Sequence, residues 1–335
     1  MPQQISATDG RLTWAGAASL ETGDGFVKPW RLIHDIVGLY HEGLAYGAST
    51  PAGVRIAFAS DTTSLTCQIE KHIEETGLDV FCDGKLVETV ALANKSEFTV
   101  SNLDAKMKLV ELWLPQCLPF RLKGLSIDDG AKLQKCELKK PKWITYGSSI
   151  THSCAAASPS RTWPARVAQE AGYDLTCLGY GGQCHLDTLI GLMIRDMPAD
   201  FISLKLGINI QGGASMNGRT FGPSIIGFVR LIREKHPETP IAVISPIISP
   251  PRETVTNSVG ESLTLMRVQV EEAVTALQDH GDEHVTYVDG LKIFGEESVN
   301  EELLPDDLHP SDEGQKVMAE NFLTHVAKPI FGLEG

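Results

Sequence analysis

Trp143-Ile144-Thr145-Tyr146-Gly147-Ser148-Ser149-Ile150-Thr151 reads as a short buried strand that closes on a glycine–serine turn. The same unit recurs downstream. Strands are expected at Leu175–Leu178, Phe201–Leu206, Ile241–Ser245 and Val285–Val288. Helices are expected near Thr162–Ala171, Asp187–Arg195, Ser224–His236 and Ser262–His280, with a last one from about Asp312 to Val326. Buried strands alternating with helices imply a parallel sheet covered on both faces. Ligands of such sheets bind beyond the carboxyl ends of the strands, so the chemistry is sought in the loops that follow them.

Upstream the texture differs. Val54-Arg55-Ile56-Ala57-Phe58, Leu65-Thr66-Cys67-Gln68-Ile69 and Leu109-Val110-Glu111-Leu112-Trp113-Leu114 alternate with a period near two. Asp61-Thr62, Asp83-Gly84-Lys85 and Asn102-Leu103-Asp104 supply turns between them. Many short strands with few helical stretches predict an all-β sandwich over residues 1–138. The polar, proline-broken stretch Gln134–Lys142 reads as a linker, and residues 139–335 form the α/β domain. A length of 335 residues accommodates both.

Composition narrows the partners. A formal net charge of −14 without a Lys/Arg cluster argues against nucleic acid and against anionic membranes. No basic start followed by an apolar run marks Met1–Trp14 as a secretory signal, and no stretch suits a bilayer. The seven cysteines form no CxxC pair, and contexts such as Leu175-Thr176-Cys177-Leu178 favour reduced core thiols. A cytoplasmic location follows as the expectation.

Four strand ends carry unusual residues. Ser149 lies in the turn after the first strand, where a hydroxyl is presented beside the following helix; a helix-capping serine is the structural alternative. Gly179-Tyr180-Gly181-Gly182-Gln183 exposes backbone N–H groups suited to an anion, or is simply a tight crossover. Leu206-Gly207-Ile208-Asn209 offers an amide that can donate to a developing oxyanion, or a turn residue. In Asp306-Asp307-Leu308-His309-Pro310 a carboxylate can grip one imidazole nitrogen while the other faces a serine. The following Ser311-Asp312-Glu313 would otherwise make that stretch a helix start. Asp307 and Asp289 are alternatives to Asp306, with the spacing to His309 favouring Asp306. His152, Arg161, Tyr180, Gln183 and His185 lie in the same loops. Of these Gln183 and His185 are candidate substrate-binding residues, and His185 could instead cap the helix near Asp187.

The order Gly-Ser-Ser-Ile-Thr, Gly-x-Gly-Gly, Gly-x-Asn and Asp-x-x-His-Pro resembles the SGNH, or GDSL-like, hydrolase superfamily over residues 143–327. It is most similar to the branch in which a β-sandwich, here jelly-roll-like, precedes the hydrolase domain. That resemblance implies a flavodoxin-like three-layer α/β/α fold, with neither metal nor organic cofactor. It implies Ser149 as nucleophile, His309 as base and Asp306 as the orienting acid. The oxyanion hole would be Ser149 N–H, Gly182 N–H and Asn209. Two positions depart from the pattern: Ser148 stands where the family has aspartate, and Cys177 where it has asparagine. The implied activity is a serine esterase acting on a small-molecule or carbohydrate ester, such as a deacetylase. Two rivals remain. One is a non-catalytic carbohydrate-binding protein with a lapsed hydrolase domain. The other is a dinucleotide enzyme reading Gly179, Gly181 and Cys184 as a fingerprint with Asp200 as ribose acid.

Overall fold

In the strand Leu65–Ile69 the period-two pattern is realised residue by residue, with Leu65, Cys67 and Ile69 fully buried and Thr66 and Gln68 turned outward. Thr66 meets Thr99 of the neighbouring strand, hydroxyl to hydroxyl, at 2.8 Å. The structure is a computed structural model that describes residues 1–333. The chain divides into two compact units: Met1–Lys139 with Ser158–Ser160, and Lys140–Ala157 with Arg161–Gly335.

The first unit contains two six-stranded antiparallel sheets. One runs Ser19–Gly23, Phe26–Trp30, Leu122–Ile127, Leu65–Ile69, Glu97–Val100, with Gln3–Ser6 also paired to Leu122–Ile127. The other runs Leu133–Gln134, Arg55–Ser60, Lys108–Trp113, Gly77–Cys82, Lys85–Ala91, with Thr13–Ala15 also on Arg55–Ser60. Val27, Leu122 and Leu125 of the first sheet share one core with Phe58, Val80 and Leu112 of the second. This is a sandwich, and its stability rests on that shared apolar layer; truncating Phe58 to alanine would cost about 3–5 kcal/mol. Asp79 is fully buried, and accepts hydrogen bonds from Thr89 Oγ1 at 2.6 Å, Ser158 Oγ at 2.7 Å and Ser160 N–H at 2.8 Å. Those bonds satisfy a carboxylate that would otherwise be costly to bury.

The second unit is built on a five-stranded parallel sheet in which Asp174–Gly179, Lys142–Gly147, Phe201–Lys205, Ile241–Ile244 and Val285–Val288 lie side by side. Numbered along the chain, the order is 2-1-3-4-5. Side chains of the first strand alternate between two helical layers. Trp143 packs on Trp163 and Phe322, ring centroids 5.9 and 5.0 Å away, from the helices Trp163–Ala171 and Asp312–Phe322. Tyr146 points the opposite way and stacks on Phe228 of the helix Phe221–Arg233 at 5.4 Å. The helices Thr188–Asp196 and Leu263–Asp279 pack against Phe221–Arg233. The result is the three-layer flavodoxin-like arrangement. Its switch point lies between the first and third strands, whose connections leave toward opposite edges of the sheet.

Elements and expectation differ in places. Asn209 does not sit in a turn but at the second position of a helix, Ile208–Gly213. The helix expected from Ser224 begins at Phe221, because Pro223 falls in the first turn, where its missing N–H costs nothing. The last helix passes at Phe322 into a π-helical turn, Leu323–Ala327. Cys67, Cys177 and Cys184 are buried thiols outside any disulfide, and burial pushes Cys184 up to about 12. Among the described residues no helix is long and apolar enough to cross a membrane.

Candidate active site

Lys142–Gly147 delivers the chain into a single helical turn, Ser149–His152. Ser148 is its N-cap and is fully buried, its hydroxyl accepting from Ile150 N–H at 3.3 Å. The position where the family pattern has aspartate is therefore held by a neutral cap. Ser149 opens the turn and is half-buried. The turn lies so close to Gly179 that a Cβ there would stand 2.9 Å from His152 Cα, and nearer still to the preceding peptide. Only glycine admits that approach.

Ser149 Oγ is 3.0 Å from His309 Nε2, and His309 Nδ1 is 2.7 Å from Asp306 Oδ2. The second carboxylate oxygen of Asp306 accepts from His309 N–H at 2.6 Å and Leu308 N–H at 3.1 Å. Burial raises the Asp306 carboxyl, but these bonds outweigh it and hold the group below the usual carboxylate range. With Nδ1–H donating to Asp306, Nε2 is left as the acceptor facing the serine hydroxyl. The loop itself is bent at Asp307, which adopts φ 59°. Two side chains hold its carbonyls: Ser249 Oγ donates to Asp307 O at 2.7 Å, and Gln315 Nε2 donates to Pro310 O at 3.0 Å.

The glycine turn approaches from the next strand. A Cβ on Gly181 would be 3.8 Å from Ser149 Cβ, which places the turn against the serine. Gly182 has φ 70° and is exposed. Cys184 N–H donates to Asn209 Oδ1 at 3.0 Å and so fixes the amide, leaving its Nδ2 hydrogens without a partner among the described residues. Asn209 is itself positioned by Gly207, whose φ of 114° and whose 2.7 Å clearance from Pro246 Cγ for any Cβ exclude other residues. The N–H groups of Ser149 and Gly182 are likewise not donated to another described residue. The three donors thus stand on segments that follow three neighbouring strands of the sheet.

His185 does something that its sequence position did not suggest. Its Nε2 is 3.1 Å from Gly182 O and its Nδ1 is 2.8 Å from Ser215 Oγ, so both ring nitrogens are engaged and the ring braces the glycine turn. The cap of the helix Thr188–Asp196 is Asp187 instead. Gln183 is half-buried beside Gly182, and its backbone N–H donates to Tyr180 O at 3.1 Å. Asp289 is not at the imidazole: it caps the helix Gly290–Ile293 through Leu291 N–H at 3.0 Å. Arg161 pairs with Asp312, and Tyr180 is buried against Tyr146 at 6.3 Å. Asp200 accepts from Lys142 N–H at 2.7 Å, at the amino end of the sheet, where it cannot meet a ribose held at the carboxyl ends. Sequence reasoning misses Ser249, Trp163 and Gln315, because the Ser249–Asp307 and Trp163–Gln315 contacts join residues 58 and 152 positions apart and leave no local signal.

The GDSL-like lipase/acylhydrolase family model matches residues 139–327, and the SsfX3 N-terminal domain model matches residues 12–123. Among solved structures the chain is similar to the salicylyl-acyltransferase SsfX3 from a tetracycline biosynthetic pathway, with 36% identity, 99% of each chain covered and a TM-score of 0.93. It is also similar to a protein from Bacteroides ovatus described as a GDSL-like lipase, at 22% identity, 100% and 99% coverage and a TM-score of 0.79. A family two carbohydrate esterase from Cellvibrio japonicus shares the fold at 15% identity, 100% and 99% coverage and a TM-score of 0.69. No curated protein matches the chain.

Proposed function

The chain belongs to the GDSL-like lipase/acylhydrolase family and is an acyl-transferring enzyme, and from that premise we propose that it hydrolyses carboxylic esters through an acyl-enzyme on Ser149. The observation that carries the reading is the hydrogen-bonded series Ser149 Oγ, His309 Nε2, His309 Nδ1, Asp306 Oδ2, at 3.0 and 2.7 Å. His309 takes the Ser149 proton as the oxygen attacks the ester carbonyl, and Asp306 stabilises the imidazolium that forms. The carbonyl oxygen becomes an oxyanion and accepts from Ser149 N–H, Gly182 N–H and Asn209 Nδ2; one such donor contributes on the order of 3 kcal/mol. His309 returns the proton to the leaving alcohol. Water, deprotonated by the same imidazole, then releases the acid. Esters of small molecules or carbohydrates are the proposed substrate class, in a cytoplasmic setting.

A second reading replaces water by an alcohol acceptor, and the likeness to the acyltransferase SsfX3 favours it. Both readings share the acyl-enzyme and diverge only in its fate. The test is intact-mass spectrometry during turnover of a panel of activated and sugar acetyl esters. An acyl adduct on Ser149, absent from Ser149→Ala, supports the shared step. Loss of the adduct to water alone assigns hydrolysis, while product formed only on adding an alcohol assigns transfer. Turnover by Ser149→Ala at the wild-type rate would sink both.

A further inference from the structure

The serine and the imidazole are carried by elements 160 residues apart, yet a buried polar thread runs from one to the other behind the site. Trp163 Nε1 donates to Ile150 O, in the turn that begins with Ser149, at 2.9 Å. Trp163 N–H, an unpaired donor of the first helical turn, is accepted by Gln315 Oε1 at 3.1 Å. Gln315 Nε2 then donates to Pro310 O, the carbonyl directly after His309, at 3.0 Å. Ile150, Trp163 and Gln315 are each about 1% exposed, so water cannot substitute for any link. The amide orientation follows from its partners, since one neighbour is an N–H and the other a carbonyl.

Resting on the reading that Ser149 and His309 act together, we infer that Gln315 is a positioning residue: its amide, through Trp163, sets the distance between the nucleophile turn and the His309 loop. A carboxamide suits this place because it offers one acceptor and one donor on a rigid plane. Leucine or methionine fills the volume but offers neither. Ionised glutamate accepts from Trp163 but repels Pro310 O. Protonated glutamate restores both bonds, because its hydroxyl donates where the amide did.

The experiment uses the full chain and a small activated acetyl ester, with Ser149→Ala alongside. For Gln315→Met we expect kcat lower by about tenfold or more with KM within about twofold, since misplacement by a fraction of an ångström acts on the reacting geometry rather than on binding. Labelling of Ser149 by a fluorophosphonate should slow by the same factor. For Gln315→Glu the activity relative to wild type should rise as pH falls from about 8 to about 6, because a buried glutamate carries its proton in that range. Trp163→Phe keeps the ring packing, loses the bond to Ile150 O, and should lose a smaller part of kcat. Wild-type kcat in Gln315→Met, a loss confined to KM, or a Gln315→Glu ratio that does not change with pH would each overturn the inference. Should Gln315→Met fail to fold, the pH trend of Gln315→Glu decides alone. Activity retained by Ser149→Ala would instead remove the reading beneath it, a different outcome from an inert Ser149→Ala beside an unimpaired Gln315→Met.

Discussion

The two halves of the site are held by different means. Ser149 and Asn209 stand at the ends of adjacent parallel strands, Lys142–Gly147 and Phe201–Lys205, so a ladder of backbone hydrogen bonds fixes them. His309 and Asp306 lie in a loop with side chains 37% and 53% exposed, held by hydroxyl and amide bonds from Ser249 and Gln315. Backbone ladders survive the substitution of almost any side chain, whereas a tether is lost with one. Remote substitutions should therefore disturb His309, the proposed base, more readily than Ser149, the proposed nucleophile.

The largest effect tests the strand-built half directly. Ser149→Ala should lower kcat by on the order of 10⁴ to 10⁶ with an unchanged fold, while Ser148→Ala keeps its activity and loses about 1 kcal/mol of stability with the cap. Steady-state assay and urea titration separate the two; an inactive Ser148→Ala would mean that the wrong serine has been assigned. Next comes Asn209→Ala, expected to lower kcat by about 10²- to 10³-fold without altering the rate of opening of the His309 loop in hydrogen exchange. A change in that loop would break the separation of the two halves.

A stability effect follows, and it belongs to the sheet alone. Lys205 ends the strand that leads to Asn209 and is 2% exposed, and burial pushes its ammonium down to about 8. The unfolded side chain titrates near 10.4. The unfolded state thus holds more protons between these values, so stability rises with pH across about 8 to 10, and below 8 the cost of burying the charge is fully present. Lys205→Met should stabilise the protein at pH 7 by up to about 3 kcal/mol and flatten that rise, as read from urea midpoints at pH 7 and above 9. A variant less stable than wild type would show that the ammonium is well paired. The smallest effect is on the loop half: Ser249→Ala frees Asp307 O and should lower kcat by a factor of roughly three to ten. If Ser249→Ala left kcat unchanged, the contrast between ladder and tether would lose half its support.

Much of this arrangement could be read in advance. Leu65–Ile69 and Val285–Val288 appear with the boundaries their apolar runs suggested, because burial on alternate or both faces leaves its pattern in four or five residues. The short motifs around Ser149, Gly182, Asn209 and His309 were visible because strand ends are where such residues are unusual. The helix carrying Asn209 was not, since Gly212 and Gly213 within it are poor helix formers and tertiary packing overrides them. The sequence offers His185 as a substrate-binding candidate or a helix cap; its ring partners, the carbonyl of Gly182 and the hydroxyl of Ser215 thirty positions on, leave no local signal. Gln315 and Trp163, 152 positions apart, could be joined only by folding the chain.

The bend at Asp307 has a consequence for how this protein tolerates change. At φ 59° the backbone occupies a region where glycine is free, asparagine and aspartate are tolerated, and a β-branched side chain collides with its own peptide. In a library saturated at this codon and selected only for turnover, survivors should be dominated by Gly, Asn and Asp, with Val and Ile missing. The carboxylate of Asp307 would then be dispensable while its torsion is not, so the position should record in its permitted alphabet a constraint of backbone shape instead of one of charge.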